Sequence, residues 1–446
     1  MKKSKVFLLA AVGLLSVGVL TACSSSSKTS GKTYNYVYGS DPATLDYLAT
    51  NKKNMTTAVS NGVDGLFEND QYGNLKPSVA EDWSVSQDGL TYTYKIRKGL
   101  KWYTSDGEEY ANVTAKDFVT GLKHAADTNS EAIYLLQNSV KGLNDYLSGA
   151  NKDFSNVGIK AVDDYTLQYT LSQPEPYWNS KLTYSVTWPV NGDFLKSKGK
   201  DFGKSTDPTS ILYNGPYLLK ALTTKSSIEF TKNENYWDKD HVYFDNIKLT
   251  YDDGSDQESL ERNFTDGVYN LARLFPTSSN YSKVEKQYKD NIFYTQPGSA
   301  VEGVGINIDR QTYGHTSKEN DQQKTSTKTA LLNKDFRQSL GFAIDRTNYA
   351  AQLNGKEGGS TAVRNIFVKP DFVQADGKDF GTMVMDQLPA YGDEWSGVNL
   401  ADSQDGLYNP EKANAEFAKA KEALQAEGVQ FPIYLDIPVN QTSKFL

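Results

Sequence analysis

The chain is poor in the residues that most readily carry chemistry. It has one cysteine, Cys23, and three histidines in 446 residues. A single cysteine excludes an intramolecular disulfide, so stability has to come from a buried core. The histidines His124, His241 and His315 lie far apart in sequence and form no HExxH or other helical pair that would hold zinc. We expect each of them to be a surface or packing residue.

The motifs of common enzyme classes are also absent. The sequence has no G-x-S-x-G nucleophile elbow, and residues 355–360 lack the spacing of a phosphate-binding loop. Residues 252–256 depart from the order of a calcium-binding loop. The neighbouring acids Asp163 and Asp164 could serve a glycosidase, but 55 acidic residues produce such pairs by chance. We therefore predict a protein that is not an enzyme and that holds no metal and no cofactor.

Positive charge and long apolar runs are scarce as well. The net charge is −8, which makes nucleic acid a poor partner because both surfaces repel each other. After residue 22 no stretch offers the 18 apolar residues that a transmembrane helix needs. The one long apolar run covers residues 6–20 and follows a basic N-terminus, a pattern typical of a removed export signal.

The end of that run carries a second signal. Leu20, Thr21, Ala22 and Cys23 resemble the lipobox of bacterial lipoproteins, in which the cysteine is acylated and becomes the mature N-terminus. This resemblance implies a signal peptide at 1–22, a lipidated tether at 23–32 and attachment to the extracellular face of the cell membrane, of Gram-positive type, through a diacylglyceryl group and palmitate-like chains on Cys23. Two acyl chains suffice for stable anchoring. The alternative is a buried core cysteine.

Hydrophobic periodicity predicts a mixed α/β fold. Alternating apolar residues predict strands, and they lie at 34–38, 91–97, 166–171, 228–230, 247–251 and 433–439. Thr114 and Asp117 have the spacing of a capping box at the start of a helix. Further helices are predicted at 335–350, burying Phe336, Leu340, Ala343 and Ile344, and at 410–428, burying Ala413, Phe417, Ala420 and Leu424. The 29 tyrosines suit either a polar-ligand cleft or ordinary strands.

Several motifs in order along the chain resemble those of family-5 extracellular solute-binding proteins of peptide ABC transporters, streptococcal type. They are the stretches 65–68, 75–83, 86–102, 114–118, 214–217, 233–237, 337–340 and 343–346, read as GLFE, LKPSVAEDW, SQDGLTYTYKIRKGLKW, TAKDF, NGPY, NENYW, RQSL and AIDR. Together they cover most of residues 34–441.

This resemblance implies a two-lobe clamp of the periplasmic-binding-protein type (type II) with a β-rich insert domain. The expected boundaries are 33–53 with 186–295 for lobe I, 54–185 for the insert and 296–446 for lobe II. Family members continue for a further stretch, so we expect the second lobe to be incomplete. A shortened second lobe would expose sheet edges and bind ligand weakly or not at all.

The resemblance also implies a ligand site. The backbone of Thr50, Asn51, Lys52 and Lys53 would pair with an extended peptide, because an added strand gives affinity for any sequence. Tyr134 would face the cleft. Contacts from the other lobe would come from Val301, Glu302 and Gly303. The alternatives are a polar loop at residues 50–53 and a helix-packing role for Tyr134.

The expected partners are oligopeptides and the permease subunits of an ABC transporter, and we expect the protein to be a monomer. Other functions fit the same architecture. The chain could be a surface receptor for peptide signals or an adhesin, or it could bind a non-peptide solute such as nickel, haem or a sugar. Nickel sites usually use imidazole or organised carboxylates, which the sequence does not offer in a cluster.

Overall fold

A computed structural model describes residues 32–276, 278–293, 301–370 and 372–438. The chain divides into two compact units, one ending at Asp253 and the other starting at Gly254. Strands and helices alternate irregularly along the first unit, whereas the second is mostly helical. The α/β class predicted from the sequence is confirmed.

The described elements of the first unit are β1 (Thr33–Tyr38), α1 (Lys53–Val59), β2 (Phe67–Asn69), β3 (Leu75–Pro77), β4 (Ala80–Val85), β5 (Thr91–Ile96), β6 (Lys101–Tyr103), β7 (Glu109–Asn112), α2 (Ala115–Asp127), α3 (Leu143–Leu147), β8 (Ile159–Asp163), β9 (Thr166–Thr170), α4 (Trp178–Lys181), α5 (Gly192–Lys198), β10 (Tyr217–Thr223), β11 (Ser227–Lys232) and β12 (Asn246–Tyr251). Those of the second are α6 (Ser259–Thr265), α7 (Tyr281–Gln287), α8 (Asp321–Leu332), α9 (Lys334–Ala343), α10 (Arg346–Thr361), β13 (Gln374–Ala375), β14 (Lys378–Asp379), α11 (Phe380–Gln387) and α12 (Pro410–Ala426).

One sheet of the first unit joins the two ends of that unit. Its strand order is β1-β12-β11-β10, and β1 runs parallel to β12 while the other pairs are antiparallel. The pairing brings Tyr34 opposite Ile247, two residues more than two hundred positions apart in sequence. The predicted strands at 34–38, 228–230 and 247–251 are confirmed in this sheet.

A second sheet, with the order β4-β5-β9-β8, is wholly antiparallel. Strand β5 shows the predicted alternation, since Tyr92, Tyr94 and Ile96 are buried. On β9 the buried residues are Thr166, Leu167 and Tyr169. The strands predicted at 91–97 and 166–171 are therefore confirmed, and this sheet faces one large apolar core that contains most of the unit's buried aromatic residues.

Helix α2 begins where the capping motif predicts. Thr114 adopts an extended conformation, and its backbone N–H donates to Asp117 Oδ2 at 2.9 Å. The same carboxylate oxygen accepts from Trp102 Nε1 at 3.0 Å. Asp117 therefore caps the helix and pairs the indole of a fully buried tryptophan, which explains why a carboxylate is tolerated inside the core.

The helix predicted at 335–350 is wrong as a single element. Helix α9 ends at Ala343, and α10 starts at Arg346 with Asp345 as its N-cap, where the Asp345 carboxylate accepts from Asn348 N at 2.8 Å. Because the chain turns there, Ala343 and Ile344 are exposed. The buried residue of this turn is Phe342.

Helices α9 and α12 form the small core of the second unit. Its buried residues are Ala330, Phe336, Ala420, Leu424 and Val429, with Leu340 packed against them. The helix predicted at 410–428 is confirmed, although Phe417 is 38% exposed and contacts the rim of this core.

The strand predicted at 433–439 is not formed in its described part. Residues 433–438 belong to no strand of the described chain. They are held by side chains instead. Asp436 accepts hydrogen bonds from Arg310, from Thr316 and from the buried Lys318. These charged contacts replace the sheet pairing that the apolar pattern predicts.

Candidate functional site

The predicted segment 50–53 lies on the surface of the first unit, just before α1. Thr50 is only 7% exposed, whereas Asn51, Lys52 and Lys53 are exposed. Lys52 has an extended backbone with φ −65° and ψ 136°, and Lys53 is the first residue of the helix. The segment is therefore a short extended stretch anchored at its buried end and at the helix.

A carboxylate that the sequence analysis missed fixes this segment. Thr50 Oγ1 donates to Glu131 Oε2 at 2.5 Å, and Lys52 Nζ lies 3.1 Å from Glu131 Oε1. The Glu131 N–H donates to the carbonyl of Ala49 at 2.9 Å. The Thr50 hydroxyl and then the Lys52 ammonium lower the pKa of the Glu131 carboxyl, so it is ionised at neutral pH. We call Thr50, Lys52 and Glu131 the latch.

The latch connects the two parts of the predicted site in this unit. Tyr134 follows Glu131 by three residues and lies in the short 3₁₀ helix Ile133–Leu135. Ile133 is buried, while the Tyr134 side chain is 58% exposed. The helix-packing alternative for Tyr134 is therefore wrong. Its ring is exposed to solvent. Tyr134 belongs to the same chain segment as Glu131, which hydrogen-bonds to Ala49, Thr50 and Lys52.

Asn51 has the backbone groups that strand pairing requires. Within the described chain, neither its N–H nor its C=O has a hydrogen-bond partner. The flanking groups are occupied, because Lys52 N donates to Thr50 Oγ1 at 3.3 Å and Lys52 O accepts from Thr56 N at 3.2 Å. Such a residue, exposed and with both backbone groups unpaired between two fixed neighbours, can form backbone hydrogen bonds with one residue of an extended peptide.

Side-chain contacts hold the chain that leads into the latch. Asp46 Oδ2 lies 2.8 Å from His124 Nε2, and both side chains are less than one fifth exposed. His124 packs edge-on against Phe202. Tyr47 donates to the carbonyl of Pro189 at 2.8 Å inside the core. The packing role expected for His124 is confirmed, and the chain leading into Thr50 is held in place.

The family motifs at 214–217 and 233–237 support the structure around Asp64. Asp64 N donates to Asn214 Oδ1 at 2.8 Å, and the Tyr236 hydroxyl donates to Asp64 Oδ2 at 2.8 Å. Asn233 Nδ2 donates to the carbonyl of Gly215 at 3.0 Å, which links the two motifs. Burial raises the pKa of Asp64 to about 7, although the hydrogen bond from Tyr236 acts in the opposite direction.

The remaining predicted residues lie elsewhere. Val301 is half-buried, and Glu302 and Gly303 are exposed in the second unit. Their assignment to the same ligand depends on the family resemblance and stays a prediction. Cys23 lies outside the described residues. The second unit also has shallow cavities of about 260 and 440 Å³, which are lined by none of the predicted site residues.

The described ranges lack two kinds of feature. No group of three or more histidine, cysteine, aspartate or glutamate side chains is placed to hold a metal ion there. No helix in the same ranges is both long and apolar enough to cross a membrane.

Comparison with known proteins gives a consistent result. Residues 74–444 match the model of the bacterial extracellular solute-binding proteins, family 5 middle. The oligopeptide-binding protein AmiA of Streptococcus pneumoniae is 69% identical over 447 residues, covering 100% of this chain and 68% of that protein. The oligopeptide-binding protein SarA of Streptococcus gordonii is 60% identical, covering 99% of this chain and 68% of that protein.

A solved structure shows the same fold. The structure of OppA from Listeria monocytogenes bound to a peptide superposes with a TM-score of 0.64 at 26% identity. The match covers 90% of this chain and 70% of that one. The chain thus spans about two thirds of the length of the relatives it matches.

Proposed function

Because this chain belongs to the family-5 bacterial extracellular solute-binding proteins, we propose that it captures oligopeptides outside the cell and delivers them to an ABC permease. The names of relatives with 60 and 69% identity support the ligand class. The structural observation that carries the proposal is the exposed Asn51, whose backbone N–H and C=O have no partner in the described chain.

Pairing at the backbone explains how one site accepts many sequences. Every residue of a peptide except proline offers the same N–H and C=O groups. Backbone hydrogen bonds to Asn51 therefore do not depend on the side chains of the peptide. The latch prevents this segment from folding back, because Thr50 and Lys52 on either side of Asn51 are both held by Glu131. A fixed edge costs less conformational entropy on binding than a mobile loop.

Tyr134 supplies a contact of a different kind. A tyrosine ring offers a large apolar face at low entropic cost, and its hydroxyl can hydrogen-bond to a polar backbone. Its exposure in the described structure means that it is available for a ligand without rearrangement of the core. We propose that it packs against the peptide that pairs at Asn51.

The location belongs to the same proposal. We propose that Cys23 is diacylated and tethers the protein, through residues 23–32, to the outer face of the cell membrane as a monomer. The lipobox at residues 20–23 and the serine-rich stretch after it support this location. The proposed boundaries are 33–53 with 186–295 for lobe I, 54–185 for the insert and 296–446 for lobe II.

Hydrogen exchange tests the proposal at the residue that carries it. The chain from residue 23 onward, with serine at position 23, is incubated with a mixture of short peptides and then exchanged into heavy water. We expect slower exchange of the Asn51 amide, because a paired N–H exchanges only when the pairing opens. A peptide set with the same side chains but with alkene isosteres in place of the backbone amides serves as the control and should give no protection, because it has no backbone carbonyl to accept from the Asn51 N–H.

The two peptide sets distinguish backbone pairing at Asn51 from binding through side chains. Protection at Asn51 by the ordinary peptides alone supports backbone pairing. Equal protection by the isostere set would contradict it, because those peptides cannot accept a hydrogen bond from the Asn51 N–H. No protection by either set at saturating concentration would contradict peptide capture at this segment.

A further inference from the structure

The sequence contains four Asn-Gly pairs, which begin at Asn61, Asn191, Asn214 and Asn354. An asparagine before glycine can lose its side-chain amide spontaneously. The backbone nitrogen of the glycine attacks the asparagine Cγ, and glycine has no side chain that would hinder this attack. Whether this happens in a folded protein depends on how freely the two residues can move. The four pairs differ sharply in this respect.

Three of the pairs are held in place. Asn214 is 6% exposed. Its side-chain Oδ1 accepts from the N–H of Asp64, and its Nδ2 donates to the carbonyl of Asp64. Asn191 caps α5, where its Oδ1 accepts from Phe194 N at 3.0 Å. At the first pair, Gly62 N donates to the carbonyl of Val59 at 2.8 Å. Attack at any of these pairs requires local unfolding.

The fourth pair is placed differently. Asn354 is exposed, and the only partner of its amide in the described chain is the carbonyl of Ala350 in the preceding turn of the same helix, at 3.1 Å. Gly355 interrupts α10 with φ 74° and ψ 169°, a conformation outside the helical region. The backbone therefore leaves the helical conformation directly after the reacting side chain, and Asn354 faces solvent, although Gly355 itself is buried.

We propose that Asn354 is a site of spontaneous deamidation in the folded protein. The Gly355 nitrogen, after losing its proton to hydroxide, attacks Asn354 Cγ and forms a five-membered succinimide. The bond between Cγ and Nδ2 breaks, and the nitrogen leaves as ammonia after taking up a proton. Water then opens the ring at either carbonyl, giving aspartate or isoaspartate, so water is the only co-reactant.

The product changes the local charge and chain length. A carboxylate replaces an amide in the last turn before the break in α10, where the carbonyl ends of the helix disfavour negative charge. Isoaspartate also lengthens the backbone next to Gly355, which packs closely, since a Cβ at this position would lie 3.0 Å from the Tyr281 hydroxyl oxygen. We expect the modified protein to lose stability in the second unit.

Peptide mapping tests the proposal on the whole chain. The native protein is aged at mildly alkaline pH, digested with trypsin and analysed by mass spectrometry, where replacement of the amide by a hydroxyl raises the mass. The tryptic peptide from Thr347 to Lys356 contains the site. We expect Asn354 to convert about tenfold or more faster than the other three asparagines, because these are protected until they open.

Ageing in concentrated urea is the control for sequence effects. There all four pairs should convert at similar rates, because no fold protects them. The variant Asn354→Gln should remove the change from its own peptide and leave the other three rates unaltered. Equal rates at all four sites in the native protein, or an unmodified Asn354 after the urea sample has converted, would overturn the proposal.

Discussion

The Thr50 hydroxyl and the Glu131 carboxylate, 81 residues apart in sequence, join through a 2.5 Å hydrogen bond. Lys52 donates to the other oxygen of the same carboxylate. Both neighbours of Asn51 are therefore fixed, and the Asn51 backbone stays exposed. A surface ion pair contributes little to stability. We therefore expect the contact to fix the conformation of residues 50–52 and to contribute little to the free energy of unfolding.

Removing the charge of the latch should weaken peptide binding more than stability. Glu131→Gln is expected to lower peptide affinity roughly threefold to tenfold, about the contribution of one hydrogen bond. The matched control is Glu229→Gln, because Glu229 also accepts from a hydroxyl, Ser227, and lies 3.1 Å from the exposed Lys248. Isothermal titration with one peptide measures both variants. Equal affinities of the two would contradict a positioning role for Glu131.

Tyr134 should matter for binding and not for folding. Its side chain is 58% exposed, so Tyr134→Ala is expected to change the free energy of unfolding by less than about 0.5 kcal/mol. Peptide affinity should fall by about 1 kcal/mol or more if the ring packs on the ligand. Tyr72→Ala, at a tyrosine that is 67% exposed in a turn, is the control. A loss of affinity shared by both variants would remove the case for Tyr134.

Sequence patterns predicted local structure best where neighbouring residues determine it. The alternation of Tyr92, Tyr94 and Ile96 and the spacing of Thr114 and Asp117 each gave a correct element. Glu131 could not be found in this way. It is one of 55 acids, and its partners Thr50 and Lys52 reach it only through the tertiary fold.

The errors have the same origin. The apolar periodicity of α9 includes Ile344 and favours a longer helix, but the Asp345 side chain caps a new helix, and α9 ends at Ala343. At residues 433–439 the sequence pattern favours a strand, yet Asp436 is held by Arg310 and Lys318 from more than a hundred residues upstream. Periodicity carries no information on such distant partners.

The buried carboxyl of Asp64 should make the first unit more stable in mild acid. Its pKa is raised to about 7 in the folded state, against 3.8 when exposed. The protonated form is thus favoured by folding, and its contribution is full below the unfolded value and lost as pH rises through 7. Between pH 8 and pH 5.5 this group should add about 2 kcal/mol.

Comparison with a neutral variant isolates this contribution. Asp64→Asn keeps the shape and a hydrogen-bond acceptor for Tyr236 but cannot ionise. Five of the six tryptophans lie in the first unit, so thermal unfolding followed by tryptophan fluorescence reports mainly on that unit. We expect the variant to gain less stability between pH 8 and pH 5.5 than the wild type. An identical gain in both proteins would contradict the assignment.

Asp436 should be the main anchor of residues 433–438 in the second unit. Its carboxylate accepts from Lys318 Nζ at 2.6 Å, from Thr316 Oγ1 at 2.7 Å and from Ser317 N at 3.0 Å. The Lys318 side chain is only 2% exposed, so its ammonium depends on this partner. Asp436→Asn leaves that charge buried without a counterion and is expected to cost about 2 to 4 kcal/mol.

Hydrogen exchange of the Ser317 amide checks this expectation, because that N–H donates to Asp436 directly. The control is Asp386→Asn, whose carboxylate pairs with Lys378 at 3.0 Å on the surface and should have little effect. The hydrogen bond from Lys318, followed by those from Ser317, Thr316 and Arg310, holds the pKa of Asp436 well below its usual range. Its contribution to stability is therefore present above the unfolded pKa and is lost as the pH falls from that value towards the folded pKa. The difference between wild type and Asp436→Asn should therefore shrink in acid. A difference that is constant with pH, or protection of Ser317 that survives the substitution, would show that other contacts anchor the segment.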